Sequence, residues 1–98
     1  MSAPLTTDLT RRDVRPYFLW DDDLTVAQFE QALNGPDRER ADAYLARLLR
    51  EAKYEDVWRF VTPQFVADRL AAIVPRLGRS RPLWTFLIRA WRERGLVS

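Results

Sequence analysis

Apolar residues along this chain recur mainly at helical spacing, and the breaks between them fall at proline, glycine or capping residues. Thr25-Val26-Ala27-Gln28 has the form of a capping box, in which a threonine oxygen accepts from the first-turn backbone and a glutamine reaches back. It predicts a helix over Val26–Leu33 with Val26, Phe29 and Leu33 on one face. Asn34-Gly35 ends it, since glycine tolerates positive φ. Pro36 at a first helical position, with Asp37 and Glu39 near the positive end of the dipole, predicts a second helix over residues 36–52. Ala41, Leu45, Leu48, Leu49 and Ala52 form its stripe; Arg38, Asp42, Arg47 and Glu51 fall outside it. After a tight junction at Lys53-Tyr54, a short helix over residues 55–61 turns Val57 and Phe60 or Val61 inward.

Thr62-Pro63 caps and starts a fourth helix. Phe65, Val66, Leu70, Ile73 and Val74 give it an apolar stripe with one misfit, Arg69, and Pro75 stops it. Residues 76–81 form a basic connection around Gly78, and Pro82 opens a fifth helix. Leu83, Trp84, Phe86, Leu87, Ile88 and Trp91 make that helix apolar on most sides, which places it at the centre of the bundle or beneath a partner. Gly95 with Leu96 predicts a Schellman-like ending in which Leu96 packs back on Trp91.

Residues 1–13 are polar, contain Pro4 and lack periodicity, which predicts a flexible N-terminal arm ahead of a helical domain over 14–98. Residues 14–20 enter extended, because Pro16 biases Arg15 away from helix. Tyr17, Phe18, Leu19 and Trp20 are too many large apolar groups to leave in water. Burying each contributes about 1.5–3 kcal/mol, so the segment is expected to clamp across the helices with Trp20 near Trp58 or Trp84. Exposure of Trp20 would instead make the segment a docking surface. A short strand here has no evident partner. The fold class that follows is all-α: one bundle of about five short helices with an extended N-terminal lead-in.

Composition narrows the chemistry. Ninety-eight residues with 47% hydrophobic and 31% charged content fit one globular domain. The absence of cysteine excludes a disulfide framework and thiolate zinc sites. The absence of histidine removes the commonest general base and transition-metal ligand. No apolar signal segment precedes Asp13 and no apolar run approaches the ~20 residues of a membrane span, so a cytoplasmic, non-membrane protein is expected. The net charge of +2 is unevenly spread: residues 1–56 carry eight basic and twelve acidic side chains, residues 57–98 eight basic and two acidic. Either the C-terminal half meets an anionic partner or the two halves attract each other in the fold.

Asp21-Asp22-Asp23 is the candidate metal site, but the run lacks the spacing and glycine of a calcium loop, and its carboxylates are expected to meet helix N-termini or an arginine. No phosphate-binding loop and no Gly-Ser turn leading into spaced aspartates is present. No metal, no cofactor and no catalytic residue is assigned, and the chain reads as a non-enzyme. Arg76, Arg79 and Arg81, with Arg89 and Arg92 on the fifth helix, are the candidates for binding a partner or nucleic acid. The connection is too long and proline-bounded for a helix-turn-helix, and the fifth helix leaves few positions to read bases. Trp58, Trp84 and Trp91, like Trp20, are expected in the core, with Asp21 and Asp56 fixing loop geometry beside them.

P-Y-F-L-W-D at residues 16–21, L-L-R-E-A-K-Y-E-D-V-W-R-F-V-T at residues 48–62 and a tryptophan-bearing last helix resemble a group of small bacterial proteins of undefined function, typically encoded beside a nucleotidyltransferase of the AbiE toxin type. The resemblance spans residues 16–91 and carries no functional residues over. It implies an antitoxin-like or accessory protein that acts by binding a neighbouring enzyme. The leading expectation is therefore a helical protein-interaction module partnered by a nucleotidyltransferase. The alternatives are a nucleic-acid-binding regulator using the basic C-terminal region and a self-associating module that packs its last helix on a second copy.

Overall fold

Three backbone donors open the first helix, and each finds a distinct acceptor. In the computed structural model, which describes residues 4–98, α1 spans Val26–Leu33. Val26 N donates to Val14 O at 3.0 Å and Ala27 N to Arg12 O at 3.1 Å. Gln28 N donates to Thr25 Oγ1 at 3.2 Å, while the Gln28 side chain accepts from Thr25 N at 2.9 Å, completing the capping box. The chain ahead of α1 thus crosses its positive end and satisfies groups that would otherwise need water.

Of the arm expected over residues 1–13, residues 1–3 lie outside the described residues, and from Leu5 the chain packs on the lead-in segment. Leu5–Thr6 (β1) pairs in parallel with Arg15–Pro16 (β2), Leu5 opposite Arg15 and Thr6 opposite Pro16, and Tyr17 N donates to Thr6 O at 2.9 Å. The strand partner that local reading does not find is the arm itself, ten residues upstream. Leu9, the one apolar residue mid-arm, is buried in the core and anchors the loop between the strands.

The remaining elements are α2 (Arg38–Glu51), α3 (Tyr54–Val57), α4 (Pro63–Ile73) and α5 (Arg81–Glu93), so the fold is a five-helix bundle with one minimal strand pair. α2 starts later than Pro36 because Asp37 is its cap, its carboxylate accepting from Arg40 N at 3.1 Å. Asn34 closes α1 through its side-chain amide to Glu30 O at 2.9 Å; Gly35 does not take positive φ. α3 is one turn, shorter than residues 55–61, and continues as turns that still bury Val57 and Val61. Thr62 caps α4 with Pro63 in its first turn. Two 3₁₀ turns, Val74–Arg76 and Gly78–Ser80, replace an open connection before α5, with Gly78 at φ +52° opening the second.

The core joins Phe18, Phe29, Leu33, Leu45, Leu48, Val57, Val66, Ile73, Leu77, Trp84 and Ile88 into one cluster. At its N-terminal end Phe18, Phe29 and Phe60 meet edge to face with centroids 5.1–5.8 Å apart. Arg69, the misfit on α4, keeps its guanidinium over Phe65 at 4.1 Å and 3.9 Å from Asp42, the buried acid on α2. Burial is the main influence on Arg69 and pulls its pKa below the ordinary value. The ending at Gly95 is a full Schellman motif: Leu96 N donates to Trp91 O at 2.8 Å and Gly95 N to Arg92 O at 3.1 Å, with φ +71° at Gly95. Leu96 nevertheless stays exposed, and Val97 is the residue that returns to the core.

Candidate interaction surface

The two aromatic-acidic motifs meet in space. The Tyr17 hydroxyl donates to Asp56 Oδ2 at 2.7 Å and accepts from Lys53 N, also at 2.7 Å. Burial, then the Asp56 hydrogen bond, pushes the Tyr17 phenol up to about 12. Phe18 and Leu19 are fully buried. Asp56 thus fixes the junction between α2 and α3 to the lead-in segment, a structural role.

Trp20 corrects the expectation of a buried ring near Trp58 or Trp84. It is 51% exposed and lies under the guanidinium of Arg47, 4.1 Å from its ring centre, on the outer face of α2. With Phe18 and Leu19 buried, the exposure that would make the segment a docking surface is confined to this one ring, which Arg47 already covers on one side. Arg47 also donates through Nε to Phe18 O at 2.9 Å and binds the Asp21 carboxylate. That contact holds the Asp21 carboxyl below its ordinary pKa. The backbone explains the reversal: the extended segment stops at Pro16 instead of running to residue 20, and two turns follow. Closed by Leu19 N to Pro16 O at 3.0 Å and Asp22 N to Leu19 O at 3.2 Å, they turn Phe18 and Leu19 into the core and leave Trp20 facing out.

The aspartate run meets side chains in the way expected of a structural loop. Asp22 accepts from the Tyr44 hydroxyl at 2.7 Å and from Asp23 N at 2.7 Å. Among the described residues no group of three or more His, Cys, Asp or Glu is placed to hold a metal ion. A groove of about 350 Å³ beside the run is lined by Arg40, Tyr44, Arg47 and Arg50. Its cations are engaged: Arg40 lies over the Tyr44 ring at 5.5 Å, Arg47 as above, and Arg50 donates to Arg76 O at 2.7 Å.

The other three tryptophans form a cluster with Tyr54. Trp84 is buried and its indole donates to Leu49 O at 3.0 Å, which ties α5 to the C-terminal end of α2. Trp58 contacts Trp84 and Trp91, each with centroids 5.8 Å apart, and Tyr54 stacks on Trp84 at 6.1 Å. Trp58 and Trp91 are only partly buried, and Tyr54 is 47% exposed. The cluster therefore reaches the surface where α3 meets α5.

α5 is neither central nor fully covered. Trp84 and Ile88 are its buried residues, whereas Leu83 is 50% and Phe86 64% exposed. The candidate arginines divide. Arg92 donates to Ala67 O at 3.1 Å and Ser98 O at 3.3 Å, pinning α5 to α4 and to the chain end. Arg76 stands 3.8 Å from Glu39. Arg79, Arg81 and Arg89, with Arg94 beyond them, are exposed and make no side-chain hydrogen bond or ion pair among the described residues. The charge asymmetry is accordingly split: Arg59–Asp56, Arg69–Asp42 and Arg76–Glu39 join the halves, and Arg79, Arg81, Arg89 and Arg94 face solvent around α5.

No protein-family model, curated protein or solved structure matches this chain. None of the described helices is long and apolar enough to cross a membrane. Two important residues carry little local signal. Arg47 looks like any solvated position off the α2 stripe, and Tyr54 reads as a junction residue. The exposure of Leu83 and Phe86 was signalled by the excess of apolar positions on α5, more than one face can bury.

Proposed function

We propose that this protein is a non-catalytic interaction module that docks on a protein partner through the outer face of α5. The observation that carries the reading is the pair Leu83 and Phe86, half or more exposed on a helix whose inward residues already complete the core. Such a face, with an exposed phenylalanine at its middle, has the aromatic content that interface anchors favour. The carboxylates that would be wanted for chemistry are engaged elsewhere, Asp21 with Arg47, Asp22 with Tyr44 and Asp56 with Tyr17. The family resemblance of the two motifs makes an AbiE-type nucleotidyltransferase the partner to test first, with α5 and its arginines occluding the enzyme's active site or nucleic-acid groove.

Co-expression with the product of the adjacent gene, followed by size-exclusion chromatography, tests the proposal. Co-elution that is lost on Phe86→Ser is the expected result. Two separate peaks at micromolar concentration would overturn the partner assignment. Direct nucleic-acid binding is the competing outcome; it requires affinity that falls steeply with salt and disappears when Arg79, Arg81 and Arg89 are changed together to alanine.

A further inference from the structure

α5 carries two apolar stripes. Trp84, Ile88 and Trp91 form the inner one. Leu83, Phe86, Leu87 and Ala90 recur at i, i+3, i+4 and i+7 along the outside, the spacing by which one helix receives another. Exposure rises across this stripe from Leu87, which touches the core, to Phe86, which is 64% exposed. At about 1.5 Å per residue, the seam from Leu83 to Ala90 is roughly 11 Å long, about half the length of α5.

The charges around the seam have one dominant sign. Arg79 and Arg81 stand at its N-terminal end, Arg89 on its outer edge and Arg94 at its C-terminal end. None of them is neutralised among the described residues, and Glu93 is the one carboxylate on α5. We infer that the seam receives an amphipathic helix of a partner protein whose apolar stripe is flanked by aspartate or glutamate. This rests on the reading of α5 as the docking face and adds the chemistry of what docks there.

Charge excludes the simpler occupants. An antiparallel pair of α5 helices from two copies would bring Arg79 and Arg81 of one towards Arg94 of the other, with Glu93 the one carboxylate to offset them. A parallel pair would align each arginine with its own copy; the excess of like charge opposes both. A nucleic acid would meet the arginines with its phosphates but would leave Leu83 and Phe86 against a polar backbone, with their apolar surface unused. Only an acidic, apolar-striped partner uses both features.

The test selects from a displayed library of helical peptides that match α5 in length, with apolar residues fixed at the seam positions and Glu, Lys, Gln or Ser free at the flanks. The bait is the full-length chain. Expected are binders enriched in Glu at the flanks, weakened about tenfold or more by Phe86→Ser, as befits an interface anchor. The double variant Arg89→Glu, Arg94→Glu should enrich Lys instead. Both variants change exposed side chains, and circular dichroism checks that they remain folded. Binders lost on Phe86→Ser but indifferent to flank charge would overturn the acidic-partner inference while leaving α5 as the docking face. Absence of binders, or binders unaffected by Phe86→Ser, would overturn it as well. So would sedimentation showing a dimer that Phe86→Ser converts to monomer.

Discussion

Removing one hydroxyl should measure how firmly the lead-in segment is tied to the bundle. In Tyr17→Phe the ring stays, so packing against Phe18, with centroids 5.3 Å apart, is retained. What is lost is the donor to Asp56 Oδ2 and the acceptor for Lys53 N. A hydrogen bond to a charged partner contributes about 1.5–3 kcal/mol when buried. Here the site is only partly buried and Asp56 keeps Arg59 at 3.6 Å, so the lower end applies. Burial is the larger cause of the rise in the phenol pKa from 10.0 to about 12 and the Asp56 hydrogen bond the second, so the rise agrees in direction without measuring the bond. The expected loss is about 1–1.5 kcal/mol.

The sign of the pH dependence follows from the direction of the shift. The folded state holds the Tyr17 proton more tightly than the unfolded chain, so this stabilisation is complete below pH 10 and is lost as pH rises towards about 12. Urea titrations of the parent and Tyr17→Phe, compared pH by pH, isolate Tyr17 from the other titrating groups. The expected gap is about 1–1.5 kcal/mol at neutral pH, closing across the interval from 10 to 12. Equal stability at neutral pH, or a gap that stays constant through that interval, would refute the claim that the Tyr17–Asp56 contact joins the two motifs.

Two further substitutions probe the reversal of Trp20 and the docking of the N-terminal segment. Trp84→Ala, which empties a buried site and orphans Leu49 O, should cost about 3–5 kcal/mol, whereas Trp20→Ala should cost about 1 kcal/mol or less, the scale of an exposed cation–π contact; equal losses in chemical denaturation would refute the assignment. Leu9→Ala should cost about 2 kcal/mol and speed tryptic cleavage after Arg11 and Arg12; unchanged cleavage would show that the segment is not held by Leu9.

What could be read from the sequence divides by the range of the interaction. Helix starts set by a side-chain oxygen three residues from its backbone donor, Thr25 to Gln28 and Thr62 to Phe65, lie where the residues place them, and the Gly95 ending does too. The parallel pairing of Leu5 with Arg15 was not legible, because a two-residue strand has no period and its partner lies in a stretch without one. Trp20 was misplaced for a related reason: hydrophobicity says that a cluster will be buried, but not which member the chain geometry excludes. Phe18 and Leu19 fill the inward positions, and Arg47, 27 residues away, supplies the surface on which Trp20 rests. On α5 the same bookkeeping of apolar positions was informative in the opposite sense. A helix with more apolar circumference than its own bundle can cover leaves a remainder, and here the remainder is Leu83 and Phe86, bordered by arginines that the fold does not neutralise. In a chain whose acids and tyrosines are largely occupied in holding its own loops, that uncovered and unneutralised surface is where a partner has something to gain.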